Sequence, residues 1–391
     1  MMKKMILSFI LLGLFSISLF AQEVTIQAKV IDVETHRALP NATISVSPEK
    51  STIANADGEF VIEAEPQEML TISYVGYKPV SIKAERVGAV IQLSPYAIEL
   101  SEVKVLPLKT ILEKVVSALK AETDIYRKQE SNFYYRQTTQ NNGECCEYIE
   151  AFLNGYSELV LRQPSIINGR YGELKQTDTK KYSYVGDYLS GSCISPYTPQ
   201  KVRKKKNWLI IPMMADSENL YQVDYDILSD KVQDKVLYKI VFTPHAKVKA
   251  PIVRGVIYVD ADTYRIQKYE GEILNYYIID KQGKHYDMKE SFSVTYTYRR
   301  GFTEVQSVST KGAYSKKGIS VNINSTLVNV GLKYYEGKKK LGASYILKNK
   351  ISSVDYNAKF WNDNTIIKRT PMEEQVVKMF EKDNVFSNMT E

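Results

Sequence analysis

Val24-Thr25-Ile26-Gln27-Ala28-Lys29-Val30-Ile31-Asp32 opens the stretch whose reading decides the fold, and Asn55-Ala56-Asp57-Gly58-Glu59-Phe60-Val61-Ile62 carries it on. Val24, Ile26, Ala28 and Val30 alternate with polar residues, the period of a strand with one buried face. Ala42, Ile44 and Val46 alternate in the same way, and Leu70, Ile72 and Tyr74 precede Gly76. Asp57-Gly58 is a two-residue hairpin signal, because glycine adopts positive φ at no steric cost. Val80, Ile82, Val90 and Leu93 complete the set. Short strands with turn chemistry every ten or so residues predict a β-sandwich over residues 22–106.

Four segments in this region carry a specific resemblance. They are Lys29-Val30-Ile31-Asp32, Ala38-Leu39-Pro40-Asn41-Ala42-Thr43-Ile44, Asn55-Ala56-Asp57-Gly58-Glu59-Phe60 and Ile72-Ser73-Tyr74-Val75-Gly76-Tyr77. In order and spacing they resemble the carboxypeptidase regulatory-like (peptidase-associated) domain of Bacteroidetes envelope proteins, over most of residues 23–95. The resemblance implies a transthyretin-like, or prealbumin-like, fold and an accessory role, not peptidase activity. A zinc carboxypeptidase needs His and Glu ligands and a catalytic Glu. Residues 107–391 contain only His245 and His285, and neither stands in an HxxE or HExxH setting.

Residues 1–21 read as an address. Lys3 and Lys4 precede the apolar run Ile6 to Phe20, and Ala21 precedes Gln22 as the expected cleavage pair. This is the three-part pattern of a secretory signal peptide, with an apolar run short for a membrane-spanning helix. The expected location is therefore the periplasm or the outer membrane. The formal net charge is +7, and it falls to +5 without Lys3 and Lys4. One basic run, Lys201, Arg203, Lys204, Lys205 and Lys206, is a candidate anion-contacting patch, with a solvated loop as the plain alternative. It has no interleaved aromatics, so nucleic acid is not an expected partner.

Residues 107–130 read as a linker helix. Ile111, Leu112, Val115, Val116 and Leu119 recur at helical spacing within Leu108 to Lys128. Residues 131–391 read as a Tyr-rich antiparallel β domain. The chain has 29 Tyr against 12 Phe and 2 Trp, and tyrosine suits a half-buried pleated surface. Expected strands include Val236 to Phe242, Gly255 to Val259, Arg265 to Ile273, Phe292 to Tyr298 and Ile319 to Val330. Residues 162–206, polar and with several Gly and Pro, read as an excursion or loop. Thr370-Pro371-Met372-Glu373 is a capping box with Pro at the first helical position, opening a short C-terminal helix. The strand–turn–strand Val256 to Ile266 resembles lipoprotein-carrier-like half-barrels, in which a curved sheet wraps a helix. The wider pattern, ending in Trp361 and Thr370-Pro371, resembles the soluble part of uncharacterised outer-membrane proteins.

The fold class expected is thus mainly β: an N-terminal sandwich and a larger curved antiparallel sheet with two helices. No GxSxG, P-loop, dinucleotide or EF-hand pattern is present. Asp260 and Asp262 lack the glycine and closing Glu of a calcium loop and read as a hairpin turn. Glu144, Glu147 and Glu150 form an acidic cluster that reads as a solvated edge. Cys145, Cys146 and Cys193 are an odd set with no metal-ligand spacing, and one of the adjacent pair could bond Cys193. No catalytic residue, metal or cofactor is expected. The function expected is a non-enzymatic envelope protein binding a lipid, a glycan or an outer-membrane partner. A hydrolase with an unrecognised site in 131–391 is one alternative. An integral outer-membrane component is the other, opposed by the terminal Glu391 and by charges on both strand faces.

Overall fold

The structure is a computed structural model that describes residues 23–47, 50–98, 106–122, 125, 130–157, 159–174, 194–197, 209–214, 218–279, 283–331, 339–340, 347–351, 354–364 and 366–386. The described chain is mainly β and divides into two compact units, Met1–Ser73 with Pro79–Leu93 and Tyr74–Lys78 with Ser94–Glu391. The leader, its Ala21–Gln22 cleavage pair, the basic run 201–206 and Cys193 lie outside the described residues.

The first unit contains β1 (Val24–Asp32), β2 (Thr43–Ser45), β3 (Ser51–Ile53), β4 (Glu59–Ala64), β5 (Met69–Ser73), β6 (Val80–Lys83) and β7 (Val90–Leu93). They form two sheets, β4-β1-β7 and β3-β2-β5-β6. Most of the expected alternation is met, with Ile26, Ala28, Val30, Ile44, Phe60, Ile72 and Leu93 buried, but Val24 and Val90 are exposed and it is Ile91 that turns inward beside Leu93. The Asp57-Gly58 turn differs from a simple hairpin, because β3 and β4 belong to different sheets. Asn55 builds this corner by accepting the backbone N–H groups of Asp57 and Glu59, each at 2.9 Å. Gly58 has φ +79°, and a Cβ there would lie 2.6 Å from the Val30 carbonyl. Only glycine fits under β1 at that point.

In the second unit α1 (Leu108–Ala121) precedes a single large sheet. Its strands are β8 (Ala97–Ile98), β9 (Glu130–Asn141), β10 (Glu144–Ser157), β11 (Leu161–Glu173), β12 (Tyr221–Asp230), β13 (Lys235–Pro244), β14 (Ile252–Asp260), β15 (Ile266–Leu274), β16 (Tyr277–Ile279), β17 (His285–Arg299), β18 (Phe302–Lys316), β19 (Ile319–Gly331) and β20 (Lys339–Lys340). The order is β20-β11-β10-β9-β19-β18-β17-β15-β14-β13-β12-β8, with β16 on β17. Its long ladders are antiparallel, and β19 returns to pair with β9. Helix α1 spans Leu108–Ala121, and most of the expected continuation to Lys128 lies outside the described residues. The next residue, Glu122, is drawn into the sheet, accepting from the Thr303 backbone N–H at 2.7 Å and from Arg265 Nε at 2.8 Å.

The segment 162–173 is a strand, not the loop expected of it. Its glycines are packing residues. Gly169 lies against Ile351 of α2 (Leu347–Ile351), where a Cβ would come within 2.7 Å. Gly172 points to the opposite face, and its Cβ would stand 2.3 Å from the Phe380 ring of α4 (Pro371–Lys382). Between these helices lies α3 (Ala358–Asp363). The strands β9 to β11 are therefore covered on both faces. One face packs with Ile111, Val115 and Leu119 of α1 and with α2. The other packs with Val376, Val377 and Phe380 of α4. Along β17 the plain alternation survives: Tyr286, Met288, Glu290 and Phe292 are buried and their neighbours exposed. Helix α4 carries the expected capping box, with the Thr370 hydroxyl accepting from the Glu373 N–H and the Glu373 carboxylate from the Thr370 N–H.

The close approach at Gly172 makes a measurable demand. Gly172→Ala should cost about 1–3 kcal/mol through overpacking against Phe380. Gly88→Ala, with open space at its Cβ, should stay within about 0.5 kcal/mol. Urea unfolding of both variants checks this, and equal behaviour would contradict the packing role of Gly172.

Candidate functional site

Strand parity decides what meets what in β9–β11. Tyr134 and Arg136, Tyr148 and Glu150, and Arg170 share the α4 face, because Glu150 pairs with Arg136 on one side and Arg170 on the other. All five are buried. A lone buried carboxylate would neutralise rather than stay charged. Glu150 stays charged because its neighbours are donors. Its Oε1 accepts from the hydroxyls of Tyr134 at 2.6 Å and Tyr148 at 2.7 Å, and from Arg136 Nε at 3.2 Å. Its Oε2 accepts from Arg170 Nε at 2.7 Å and Nη2 at 2.5 Å. Burial alone would raise this carboxyl, but Arg170, Arg369 and Arg136 outweigh it and hold Glu150 well below the usual carboxylate range. The arginines then reach outward to the C-terminal segment. Arg136 pairs with Glu373 at 3.1 Å and donates to the Ile367 carbonyl at 2.7 Å, and Arg170 pairs with Glu381 at 2.7 Å. These contacts fasten α4 and the chain before it to the sheet.

The acidic cluster expected at a solvated edge is therefore corrected. Only Glu144 is exposed; Glu147 and Glu150 are fully buried, on opposite faces of β10. Glu147 lies on the α1 face. It accepts from Thr139 Oγ1 at 2.7 Å and the Tyr171 hydroxyl at 3.1 Å, in a network with Glu173 and Lys348. Nearby, Tyr135 donates to Gln137 at 2.6 Å, and Thr310 and Ser325 bond at 2.6 Å.

Further along the α1 face the surroundings become apolar. Tyr269 and Tyr296 project there among Phe242, Ile257, Phe292, Val294 and Val305, in the core that includes α1. The Tyr269 ring packs edge-on to Phe292 at 4.8 Å and over Gly255 of the next strand. The hydroxyls of Tyr269 and Tyr296 are fully buried and have no hydrogen-bond partner among the described residues. Burial raises both phenols, so they are neutral donors. Tyr221 approaches the same region but donates to the Ile210 carbonyl at 3.3 Å. Sequence reading passed over Tyr269 and Tyr296 because they look like any inward tyrosine of a Tyr-rich sheet. Parity alone would have put Glu150 and Arg136 inside, since both share a face with Tyr134 and Tyr148.

Among the other expected residues, Asp260 to Thr263 is a turn, with the Thr263 N–H and hydroxyl both donating to Asp260 Oδ1. Cys145 and Cys146 are free, buried thiols. Among the described residues no group of three His, Cys, Asp or Glu is placed to hold a metal ion, and no helix is long and apolar enough to cross a membrane.

Two outcomes are expected here. Glu150→Gln leaves three guanidiniums without their shared charge and should cost about 3–5 kcal/mol at neutral pH. The folded Glu150 carboxyl lies below its ordinary 4.5, so its contribution is full above that value and is lost as pH falls through the folded value. Stability measured from about pH 7 to pH 2 should thus lose an acid-dependent part in the variant. Burial pushes the Cys145 and Cys146 thiols up to about 12. Both should resist iodoacetamide in the folded protein at pH 8 and react once it is unfolded; rapid native labelling of either would contradict this.

Comparison with known proteins touches the first unit most directly. The CarboxypepD_reg-like domain family matches residues 26–105, in agreement with the resemblance read from the four segments. A crystal structure of a DUF1329 family protein from Desulfovibrio piger is similar over 57% of this chain and 94% of that one, at 12% identity and a TM-score of 0.21, too low to support an argument. No curated protein matches.

Proposed function

We propose that this chain is a non-enzymatic, exported cell-envelope protein. A carboxypeptidase regulatory-like β-sandwich serves as its adaptor, and the sheet domain binds an apolar ligand bearing hydrogen-bond acceptors, of the lipid class. The leader pattern of residues 1–21 and the matched domain at 26–105 support the envelope assignment.

The observation that carries the binding reading is the pair of unpartnered hydroxyls of Tyr269 and Tyr296. Leaving a buried donor unsatisfied costs about 1–3 kcal/mol, and phenylalanine would avoid that cost in the same volume. Two such donors in one apolar interior suit a ligand that brings ester or carboxylate oxygens on a hydrocarbon chain. Burial keeps both phenols neutral, as suits donors that bind a ligand.

Native mass spectrometry of the mature protein from its own envelope fraction tests this. A co-purifying lipid mass is expected, and it should be lost in the Tyr269→Phe/Tyr296→Phe double variant, which should be at least as stable as the parent. A bare mass would overturn the lipid reading. Extraction of the bare protein only together with a membrane partner would point to an adaptor instead.

A further inference from the structure

The α4 face of the sheet holds a guanidinium, Arg369, that acts on Glu150 through its charge and spends no hydrogen bond on it. An ionised carboxylate offers about four lone-pair sites. Glu150 already receives hydrogen bonds from Tyr134, Tyr148, Arg136 and two nitrogens of Arg170. Arg369 approaches last. Its Nη2 stops 3.5 Å from Glu150 Oε2 and its Nη1 3.6 Å from Glu374 Oε2. Contacts of this length are Coulombic and not hydrogen bonds. Arg369 Nε is buried with no partner among the described residues. By contrast, both ends of each fork are spent in Arg136, on Glu373 and the Ile367 carbonyl, and in Arg170, on Glu381 and Glu150.

A second donor on this face is also unspent. Trp361 is 2% exposed and its indole N–H has no partner among the described residues. Its ring lies under Arg170, with the guanidinium carbon 4.8 Å from the ring centroid, and 5.7 Å from the Phe152 ring. Arg170 in turn holds the Glu150 oxygen that Arg369 approaches. The Arg369 side chain is 15% exposed, so the fork is recessed but reachable from solvent.

We propose that Arg369 is an anion-binding residue, its planar fork taking two oxygens of a phosphate or carboxylate group, with Trp361 as a further donor on the same face. The acids nearby do not forestall this. Glu373 and Glu381 are engaged by Arg136 and Arg170, and Glu374 is 44% exposed and screened by water. Arg369 also immediately precedes the N-cap of α4, whose positive end favours an anion. At the start of α4 Pro371 has no N–H and the capping box takes the Thr370 and Glu373 N–H groups, so the guanidinium is the main hydrogen-bond donor offered there. The site is on the face opposite Tyr269 and Tyr296, so it stands or falls separately from the lipid reading.

The test uses the full mature chain with Trp208→Phe, which leaves Trp361 as the sole tryptophan. Sodium phosphate is titrated against chloride at constant ionic strength, following Trp361 emission and the melting temperature. A saturable emission change with a rise in Tm is expected, and Arg369→Gln should weaken its midpoint about tenfold or more. Because Arg369 holds Glu150 by charge alone among the described residues, Arg369→Gln should lower Tm by about 3 °C, whereas Arg170→Gln, which also removes two hydrogen bonds to Glu150, should lower it much further. A response no different from chloride would overturn the proposal, as would one retained in Arg369→Gln. So would a loss of stability in Arg369→Gln equal to that of Arg170→Gln, which would make Arg369 a structural member of the cluster. Sedimentation with phosphatidylglycerol vesicles, absent in Arg369→Gln, would identify the anion as a lipid headgroup. A response to inorganic phosphate without vesicle binding would identify a free anion.

Discussion

A full negative charge at the centre of a sheet has to be surrounded by donors, and in this protein Glu150 is that charge. Water cannot reach it, so two tyrosine hydroxyls and two arginines take the place of hydration. Those arginines are themselves buried cations and need acceptors beyond Glu150. They find them in Glu373, Glu381 and the Ile367 carbonyl, all in the C-terminal segment. The position of α4 on the sheet thus follows from the cost of one buried carboxylate. Arg369 is the member of this cluster left over when the lone pairs of Glu150 have been used.

The same economy recurs elsewhere in the larger unit. Glu304 is fully buried between Arg299 and Arg300, and Lys268 pairs with Glu270 at 2.7 Å under two tyrosine rings. In these places a buried charge is matched by a hydrogen-bonded partner of opposite sign. Against that background the unmatched hydroxyls of Tyr269 and Tyr296 stand out, since neutral donors are easier to satisfy than charges and these two are not satisfied by the chain.

Close helix packing on both faces of β11 is possible because Gly169 and Gly172 have opposite parity. One face admits Ile351 and the other Phe380, and the strand between them has no room for a side chain at either point. In the sequence, glycine and proline are punctuation, and a segment rich in them reads as a loop. In the fold these glycines are where two helices come nearest to a strand.

The sequence by itself determined the features that depend on near neighbours in the chain. Period-two alternation set strands covered on one face, such as β1, β4 and β17, Asn55 to Gly58 set a turn, and Thr370 to Glu373 set the start of α4. The four short segments were enough to identify the first domain, because turn residues at fixed offsets are local requirements. What lay beyond it was the pairing of strands distant in sequence. Glu144, Glu147 and Glu150 look alike as a run of acids. Their fates diverge only because β10 is an interior strand with Arg170 from β11 on one face and Tyr171 on the other. The tertiary structure alone decided which acid is solvated, which tyrosines lack partners and which arginine is unspent. Charge, burial and hydrogen-bond count belong to the assembled neighbourhood, and that neighbourhood is built from residues as far as 237 positions apart.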